Sequence, residues 1–319
     1  MNPELIQAAR GDKTADLLLT NLKLVNVYTG QIEPSEIAIL GDTIVGVGPG
    51  YDAAQVVDLG GRYVSPGFIN AHVHVESSMV TPSEFARAVV ALGTTTAVTD
   101  PHEMANVCGL EGVRFMLDDG RKAPMTLYVN APSCVPATSM STSGAVLNAE
   151  HLSQLKNDPN VIGLAEVMNF PGVIHGARDV LDKIEAFADR PIDGHAPTVS
   201  GKDLNAYVTA GVGSDHECVT KEEALEKIAR GMRVLIREGT AERNLAELLP
   251  AVMDNPSAAR RCCFCTDDSH PAKLIDEGDV GAMVVAAIEA GLPPVTAIQM
   301  ATLNAAEWFR LYDRGAIAP

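Results

Sequence analysis

Two histidines separated by one residue, His72 and His74, lie in the segment NAHVHVESS, just after a Pro-Gly-Phe-Ile run. In a strand, residues i and i+2 face the same side, so both imidazoles would point to one place. Imidazole is a good ligand for zinc, iron and manganese, although a lone histidine near a strand end is usually an ordinary hydrogen-bonded group. The pair therefore predicts a metal ion at this place.

Other imidazoles and carboxylates stand at the ends of further predicted strands. They are Glu166, His195, His216, Asp267 and Asp268, and another strand ends at Asp100 with His102 and Glu103 just beyond. A cluster of four histidines and two acids at one rim could hold two cations, with the acid of the fourth strand bridging them. Three other histidines, His151, His175 and His270, lie on predicted helices or loops, and we expect them to be ordinary polar groups.

Eight predicted strands carry these residues. The strand candidates are GFINAHVHV, TTTAVTD, MTLYVNAPS, VIGLAEVMN, PIDGHAP, VGSDHE, MRVLIREGT and RCCFCTDD. Each is followed by a helix or a helix-length segment, such as TPSEFARAVVAL, AEHLSQLKN, GKDLNAYVTA and TKEEALEKIARG. Eight βα units in one run predict an α/β fold, a TIM-like (β/α)8 barrel, whose active site lies at the C-terminal ends of the strands. Before them, residues 15 to about 62 favour short antiparallel strands.

Composition and charge limit the function classes. The chain of 319 residues is 46% hydrophobic and 20% charged, which is typical of a globular protein with a large core. Its net charge of −17 argues against nucleic acid or an anionic membrane surface as a partner. No apolar stretch or N-terminal segment predicts a membrane span or a secretory signal. The six cysteines, three of them in CCFC, indicate reduced core thiols rather than disulfides or zinc ligands, so we expect a cytoplasmic protein.

Several motifs together resemble the adenine deaminases of the amidohydrolase superfamily. They are PGFINAHVHVESSMVTP, GTTTAVTDPHEMANVCG, GLAEVMNFPGV, DGHAP, SDHE and CTDD. The His-x-His after Pro-Gly-Phe-Ile is shared across the superfamily, whereas the extended HVHVESS together with DPHEMAN is much narrower. The resemblance runs from about residue 15 to the end and implies hydrolytic deamination of adenine to hypoxanthine and ammonia.

The resemblance also implies a domain organisation. It predicts the N-terminal half of a small β-sandwich over residues 1–62, a metal-dependent (β/α)8 barrel over 63–310, and the start of a return to the sandwich over 311–319. Relatives of this length class continue well beyond DRGAIAP, so we expect a chain that is truncated relative to the family. A half-sandwich exposes strand edges that favour association, and we expect a homo-oligomer.

The resemblance assigns a binuclear metal centre to named residues. It places His72 and His74 as the ligands of the first strand, and Glu166 as the bridging carboxylate where many relatives use a carboxylated lysine. His195, His216 and Asp267 fall on the ligands of the fifth, sixth and eighth strands. Iron or manganese is the implied metal, and the sequence alone would also allow zinc.

The chemistry of deamination explains these residue types. The reaction needs hydroxide at neutral pH, which a cation supplies by lowering the pKa of water to about 7. Asp267 is the expected general base, which takes the water proton and passes it to the leaving amine. Attack on the ring also needs N1 protonated or hydrogen-bonded, and Glu217, Asp268, His102 and Glu103 are all candidates for that role. Each of them could instead orient a ligating imidazole. Arg237 and Glu238 could line the pocket or pair with each other.

Two alternatives stay open. One is a different amidohydrolase reaction, either cyclic amide hydrolysis or N-deacetylation. The absence of a lysine at the end of the fourth strand counts against the cyclic amide type of site. The other is a metal-binding piece of a larger protein that has no turnover of its own.

Overall fold

The N-terminal part of the protein is a four-stranded sheet with one short helix. A computed structural model describes residues 2–319. The helix is α1 (Pro3–Ala9), and the strands are β1 (Ala15–Asn26), β2 (Gln31–Leu40), β3 (Thr43–Val47) and β4 (Ala53–Val64). Their order in the sheet is β3-β2-β1-β4. A small apolar core that includes Ala8 and Leu18 packs between α1 and the sheet.

The pairing of β4 corrects the expectation of antiparallel strands. β2 is antiparallel to both β1 and β3, whereas β4 is parallel to β1. The reason is that β4 follows β3 in the chain but lies on the opposite edge of the sheet, so residues 48–52 must cross a face of the sheet. Tyr51 packs directly over Gly46 at this crossing, where a Cβ would lie 2.2 Å from the tyrosine ring. Glycine at this position therefore permits the crossing.

The rest of the chain alternates parallel strands with helices. The strands are β5 (Phe68–His74), β6 (Thr94–Thr99), β7 (Thr126–Ala131), β8 (Val161–Val167), β9 (Ile192–Gly194), β10 (Ser214–Asp215), β11 (Arg233–Arg237), β12 (Cys262–Cys265) and β13 (Asp267–Asp268). Each of the eight predicted strand segments contains one of them, and the eighth contains both β12 and β13. The prediction of an α/β fold is thus confirmed for the strand segments and their alternation with helices.

Helices follow most of these strands. They are α2 (Pro82–Val90), α3 (His102–Gly120), α4 (Ala149–Leu155), α5 (Phe170–Ile174), α6 (Arg178–Ala186), α7 (Gly201–Thr209), α8 (Lys221–Ala229), α9 (Leu245–Met253), α10 (Pro256–Ala259), α11 (Pro271–Asp276), α12 (Val280–Glu289), α13 (Pro294–Met300) and α14 (Leu303–Phe309). A short 3-10 helix, Val75–Ser78, follows β5. Within residues 2–319, no helix has both the length and the apolar character that a membrane span requires.

The parallel strands form one curled sheet in two segments. One segment has the order β13-β5-β6-β7-β8-β9, and the other has the order β10-β11-β12. The amide of Gly213, just before β10, donates to the carbonyl of Ile192 in β9 at 3.0 Å, and Thr266 alone separates β12 from β13. The segments are therefore adjacent at both ends, and the carboxyl ends of all these strands lie on the same side. Large apolar side chains such as Leu164, Phe187 and Tyr207 fill the space between strands and helices.

Candidate metal centre

β5 brings the first two histidines to the carboxyl end of the sheet. Alternation along the strand gives His72 and His74 one face, and Val73 packs on the other face against Phe85 of α2. The two histidines are 1% and 3% exposed. Asp267 begins β13 and is the parallel partner of Val73. Its carboxylate therefore lies level with the two imidazoles.

These three side chains form a first group of ligand atoms. Nε2 of His72 lies 3.0 Å from Nε2 of His74. Oδ1 of Asp267 lies 3.6 Å from Nε2 of His72 and 3.3 Å from Nε2 of His74. The two imidazoles thus present the same ring nitrogen to one carboxylate oxygen.

Glu166 connects this group to a second one. Its Oε1 lies 3.3 Å from Nε2 of His74. Its other oxygen, Oε2, lies 2.5 Å from Nδ1 of His195 and 3.2 Å from Nε2 of His216. His195 and His216 directly follow the short strands β9 and β10, and Glu166 is in β8. A carboxylate that faces one imidazole group with each oxygen has the geometry of a bridge between two cations.

The structure therefore brings together all six side chains that the sequence predicts as ligands. Four compact groups in the cluster have ligand atoms within 4.8 Å of one another. They are His72 with His74 and Asp267, His195 with His216 and Glu217, His72 with Glu166 and His216, and His74 with Asp100, His102 and Glu166. Imidazole nitrogen and carboxylate oxygen are donors that suit first-row divalent cations. The donor set fits two such ions.

The electrostatics of the cluster favour added positive charge. Burial lowers the pKa of His74, but its contacts with Asp267, Glu103 and Glu166 together outweigh burial and raise the pKa well above its ordinary value. Burial likewise lowers the pKa of His216, yet Glu166 raises it to about 9. Burial raises the pKa of the Asp267 carboxyl. The contacts with His72 and His74, together with the charge of His216, have a larger effect in the opposite direction, so the pKa lies below its ordinary value. A site that stabilises protons on its imidazoles stabilises a bound cation for the same reason.

His102, a predicted proton donor, lies beside the first group. Its Nδ1 is 3.1 Å from Oδ2 of Asp100 and 3.4 Å from Oε1 of Glu166. Burial lowers the pKa of His102, but the charge and hydrogen bond of Asp100 together with the Glu166 charge outweigh burial and raise it to about 9. Glu103, the next residue, lies with Oε2 3.5 Å from Nδ1 of His74. His102 thus forms a further compact group of possible ligands with His74, Asp100 and Glu166, and Glu103 contacts that group from outside.

Of the two expectations for Arg237, the structure shows contact with residues of the site and no pair with Glu238. Arg237 pairs with Glu217 and Asp267, whereas the Glu238 carboxylate accepts a hydrogen bond from the amide of Leu245 at 3.1 Å. Nη2 of Arg237 donates to Oε2 of Glu217 at 3.0 Å, and Nη1 donates to Oδ2 of Asp267 at 2.9 Å. The reason is strand alternation, which places Arg237 and Glu238 on opposite faces.

Two further carboxylates lie close by. Asp268 accepts a hydrogen bond from the Ser77 hydroxyl, which holds it next to the loop after β5. Glu76, which the sequence analysis does not single out, is half-buried beside Glu103. Burial and the Glu103 charge raise the pKa of Glu76 to about 7. The signal that could have found Glu76 is its spacing two residues after His74, which repeats the spacing of the two histidines.

The remaining histidines lie elsewhere, as expected. His151 belongs to the N-terminal cap of α4, where its Nδ1 accepts from the amide of Asn148 at 3.3 Å. His175 ends α5 and His270 precedes α11. Cys262, Cys263 and Cys265 are free and buried in β12.

Curated relatives are similar to this chain along almost all of its length. An adenine deaminase of Dehalococcoides mccartyi is 52% identical over 316 residues, which are 99% of this chain and 55% of that protein. Adenine deaminase 2 of Carboxydothermus hydrogenoformans is 51% identical, again over 99% of this chain and 55% of that protein. The chain thus spans about half the length of the curated relatives that it matches.

Solved structures share the fold. The crystal structure of an adenine deaminase has a TM-score of 0.70 at 18% identity and covers 95% of this chain and 87% of that one. A zinc complex of an atrazine chlorohydrolase from Arthrobacter aurescens has a TM-score of 0.64 at 17% identity and covers 94% of this chain and 84% of that one. The sequence model of the amidohydrolase family matches residues 63–319 of this chain. The chain belongs to the amidohydrolase family.

Proposed function

We propose that this chain acts as an adenine deaminase, which hydrolyses adenine to hypoxanthine and ammonia. The observation that carries the proposal is the position of Glu166, whose two oxygens face two separate imidazole groups. The similarity to relatives named adenine deaminase supports the choice of substrate.

The proposed centre holds two divalent cations, iron or manganese, with zinc as a further possibility. His72, His74 and Asp267 would hold one ion, His195 and His216 would hold the other, and Glu166 would bridge them. When bound, the ions supply hydroxide at neutral pH by lowering the pKa of water to about 7. An imidazole must be neutral to bind a metal ion, so each cation would replace the protons that these imidazoles otherwise hold.

The side chains then divide the proton transfers among them. Asp267 takes a proton from water and delivers it to the leaving amine, because one of its oxygens faces the imidazoles and Arg237 holds the other. Glu217, Asp268, His102 and Glu103 are the candidates for contact with ring N1. Nη2 of Arg237 donates to Oε2 of Glu217 at 3.0 Å, and Oε1 of Glu217 lies 3.5 Å from Nδ1 of His195, so Glu217 is held beside the second imidazole group.

The architecture proposed for this activity is a closed barrel. β5 to β12 would complete an eight-stranded (β/α)8 barrel, with β13 continuing the eighth strand beside β5. The N-terminal sheet would form half of a small β-sandwich that flanks this barrel. The Gly213 to Ile192 hydrogen bond between β9 and β10 supports closure.

Ammonia release from adenine tests the proposal. The protein is stripped of metal, reloaded with manganese or iron, and assayed beside the metal-free protein and Asp267→Asn. We expect ammonia and hypoxanthine in equal amounts from the reloaded protein, and neither from the two controls. Ring opening of a cyclic amide, or acetate release from an N-acetyl substrate, would instead assign another amidohydrolase reaction. Full metal content with no turnover of any of these substrates would contradict the proposal and favour a metal-binding piece of a larger protein.

A further inference from the structure

A lysine is buried completely beside the second imidazole group. Lys227 of α8 has 0% of its surface exposed. Its ammonium donates to the carbonyl of Ala196 at 2.7 Å, to Oδ2 of Asp215 at 2.9 Å and to Oε1 of Glu223 at 2.8 Å. All three ammonium hydrogens therefore have partners, and the charge is neutralised within the protein.

The Asp215 carboxylate extends this network to the backbone on both sides of the site. Its Oδ1 accepts from the amide of Ala196 at 2.7 Å, and its Oδ2 accepts from the amide of Glu217 at 3.0 Å. Ala196 directly follows His195, and Glu217 directly follows His216. One carboxylate thus connects the two chain segments that carry these histidines.

The local strands cannot fix these segments by themselves. β9 has three residues and β10 has two, so few ladder hydrogen bonds precede each histidine. The histidines lie just beyond the strand ends, where backbone position depends on side-chain contacts. The Asp215 network supplies those contacts.

Burial of this ion pair is poorly explained by stability alone. Removing two charges from water has a desolvation penalty, and well-packed apolar residues of similar volume often stabilise a fold as well or better. The three side chains Asp215, Cys218 and Glu223 are also compact enough to hold a metal ion, but the ammonium of Lys227 bonds to two of them. The network therefore has its own internal cation, and it directs its free acceptors to the backbone.

We propose that Lys227 and Asp215 are positioning residues, which hold His195 and His216 in place for the second cation. This inference rests on the proposed binuclear centre. Partners behind metal ligands typically change metal affinity by about 10- to 100-fold when they are lost. The effect falls on the second ion, because the ligands of the first ion, His72 and His74, are on β5 and contact neither Lys227 nor Asp215.

Stepwise titration with Mn²⁺, followed by calorimetry and electron paramagnetic resonance, tests this inference. We expect wild-type protein to bind two ions and to give the spectrum of an exchange-coupled pair. Lys227→Met should bind the first ion normally and the second about 10- to 100-fold more weakly, with the spectrum of an isolated ion at intermediate concentrations. Lys227→Arg, which keeps the charge, should restore part of the affinity. Lys156→Met is the matched control, since Lys156 bonds to Ala186 and Asp189 away from the site.

A double variant without the buried ion pair separates positioning from folding. Lys227→Met leaves Asp215 buried without a counter-ion and could unfold the protein. Asp215→Asn combined with Lys227→Met removes both fully buried charges, and the partly exposed Glu223 carboxylate keeps the amides of Thr198 and Val219 as donors. Asparagine offers one acceptor oxygen in place of two, so one of the two backbone amides loses its partner. A folded double variant that binds both ions with wild-type affinity would overturn the inference. Wild-type protein that binds fewer than two ions would instead contradict the proposed binuclear centre.

Discussion

Asp267 is shared between Arg237 and the histidines of β5. Its Oδ2 accepts from Nη1 of Arg237 at 2.9 Å, and its Oδ1 lies 3.3 Å from Nε2 of His74. The backbone of Asp267 is in the left-handed region, with φ of 56°, which is uncommon for a residue other than glycine. The two contacts therefore hold a strained residue in the orientation that a metal ligand and general base needs.

Arg237→Gln tests the first of these contacts. The substitution leaves Glu217 and Asp267 without their counter-ion, and removal of one partner from a buried charge pair costs about 3–5 kcal/mol. We expect a lower free energy of unfolding in urea and a large loss of deaminase activity. Arg243→Gln is the control, because Arg243 pairs with Glu277 at the surface, and it should leave both measurements unchanged. An Arg237→Gln protein with full activity would remove Arg237 from the account of the site.

Glu166→Gln tests the bridge. Glutamine keeps the shape of the side chain but has one oxygen acceptor, so it cannot face both imidazole groups with a ligand oxygen. We expect weaker retention of metal at both positions after dialysis against a chelator, with an unchanged circular dichroism spectrum. A variant with full metal content and full activity would show that Glu166 is not a ligand.

The pH dependence of metal binding follows from His216. In the metal-free protein its pKa is raised to about 9 from the ordinary 6.5, so the imidazole stays protonated at neutral pH. Because a ligating imidazole must be neutral, binding of Mn²⁺ should release protons, and affinity should rise as the pH rises towards about 9. The same shift stabilises the metal-free fold below the ordinary pKa, and that contribution is lost as the pH passes about 9.

Calorimetry in buffers of different ionisation enthalpy measures this proton release directly. Binding that releases no protons between neutral and alkaline pH would contradict the assignment of His216 as a ligand. His151→Asn, on α4, is the control and should leave the proton release unchanged.

Substrate size gives a separate prediction. A pocket that hydrogen-bonds a bare purine should reject adenosine, because the ribose on N9 would leave buried polar groups of the pocket without partners. We expect ammonia release from adenine to exceed release from adenosine by a large factor when metal content is matched. A preference for adenosine would contradict the substrate assignment.

The positions of the ligands could be predicted because they are properties of single strands. The two-residue spacing of His72 and His74 gives them one face of β5, and a parallel sheet brings the carboxyl ends of neighbouring strands together. The strand segments and the helices that follow them were predicted by periodicity for the same local reason. The six residues proposed as ligands could thus be named from the sequence.

Contacts that join distant segments could not be predicted in this way. Arg237 meets Glu217 and Asp267 across 20 and 30 residues, and Lys227 reaches Asp215 and Ala196 from the next helix. The parallel pairing of β4 with β1 also depends on where residues 48–52 cross the sheet. Such pairings are decided by packing, which leaves no regular spacing in the sequence.

The central claim is that six side chains from separate strand ends form one centre for two cations. The metal content of pure protein, reloaded with manganese or iron and freed of excess ion, tests it most directly. We predict about two divalent cations per chain, since the donors form two groups joined by Glu166. One cation or none per chain would contradict the claim.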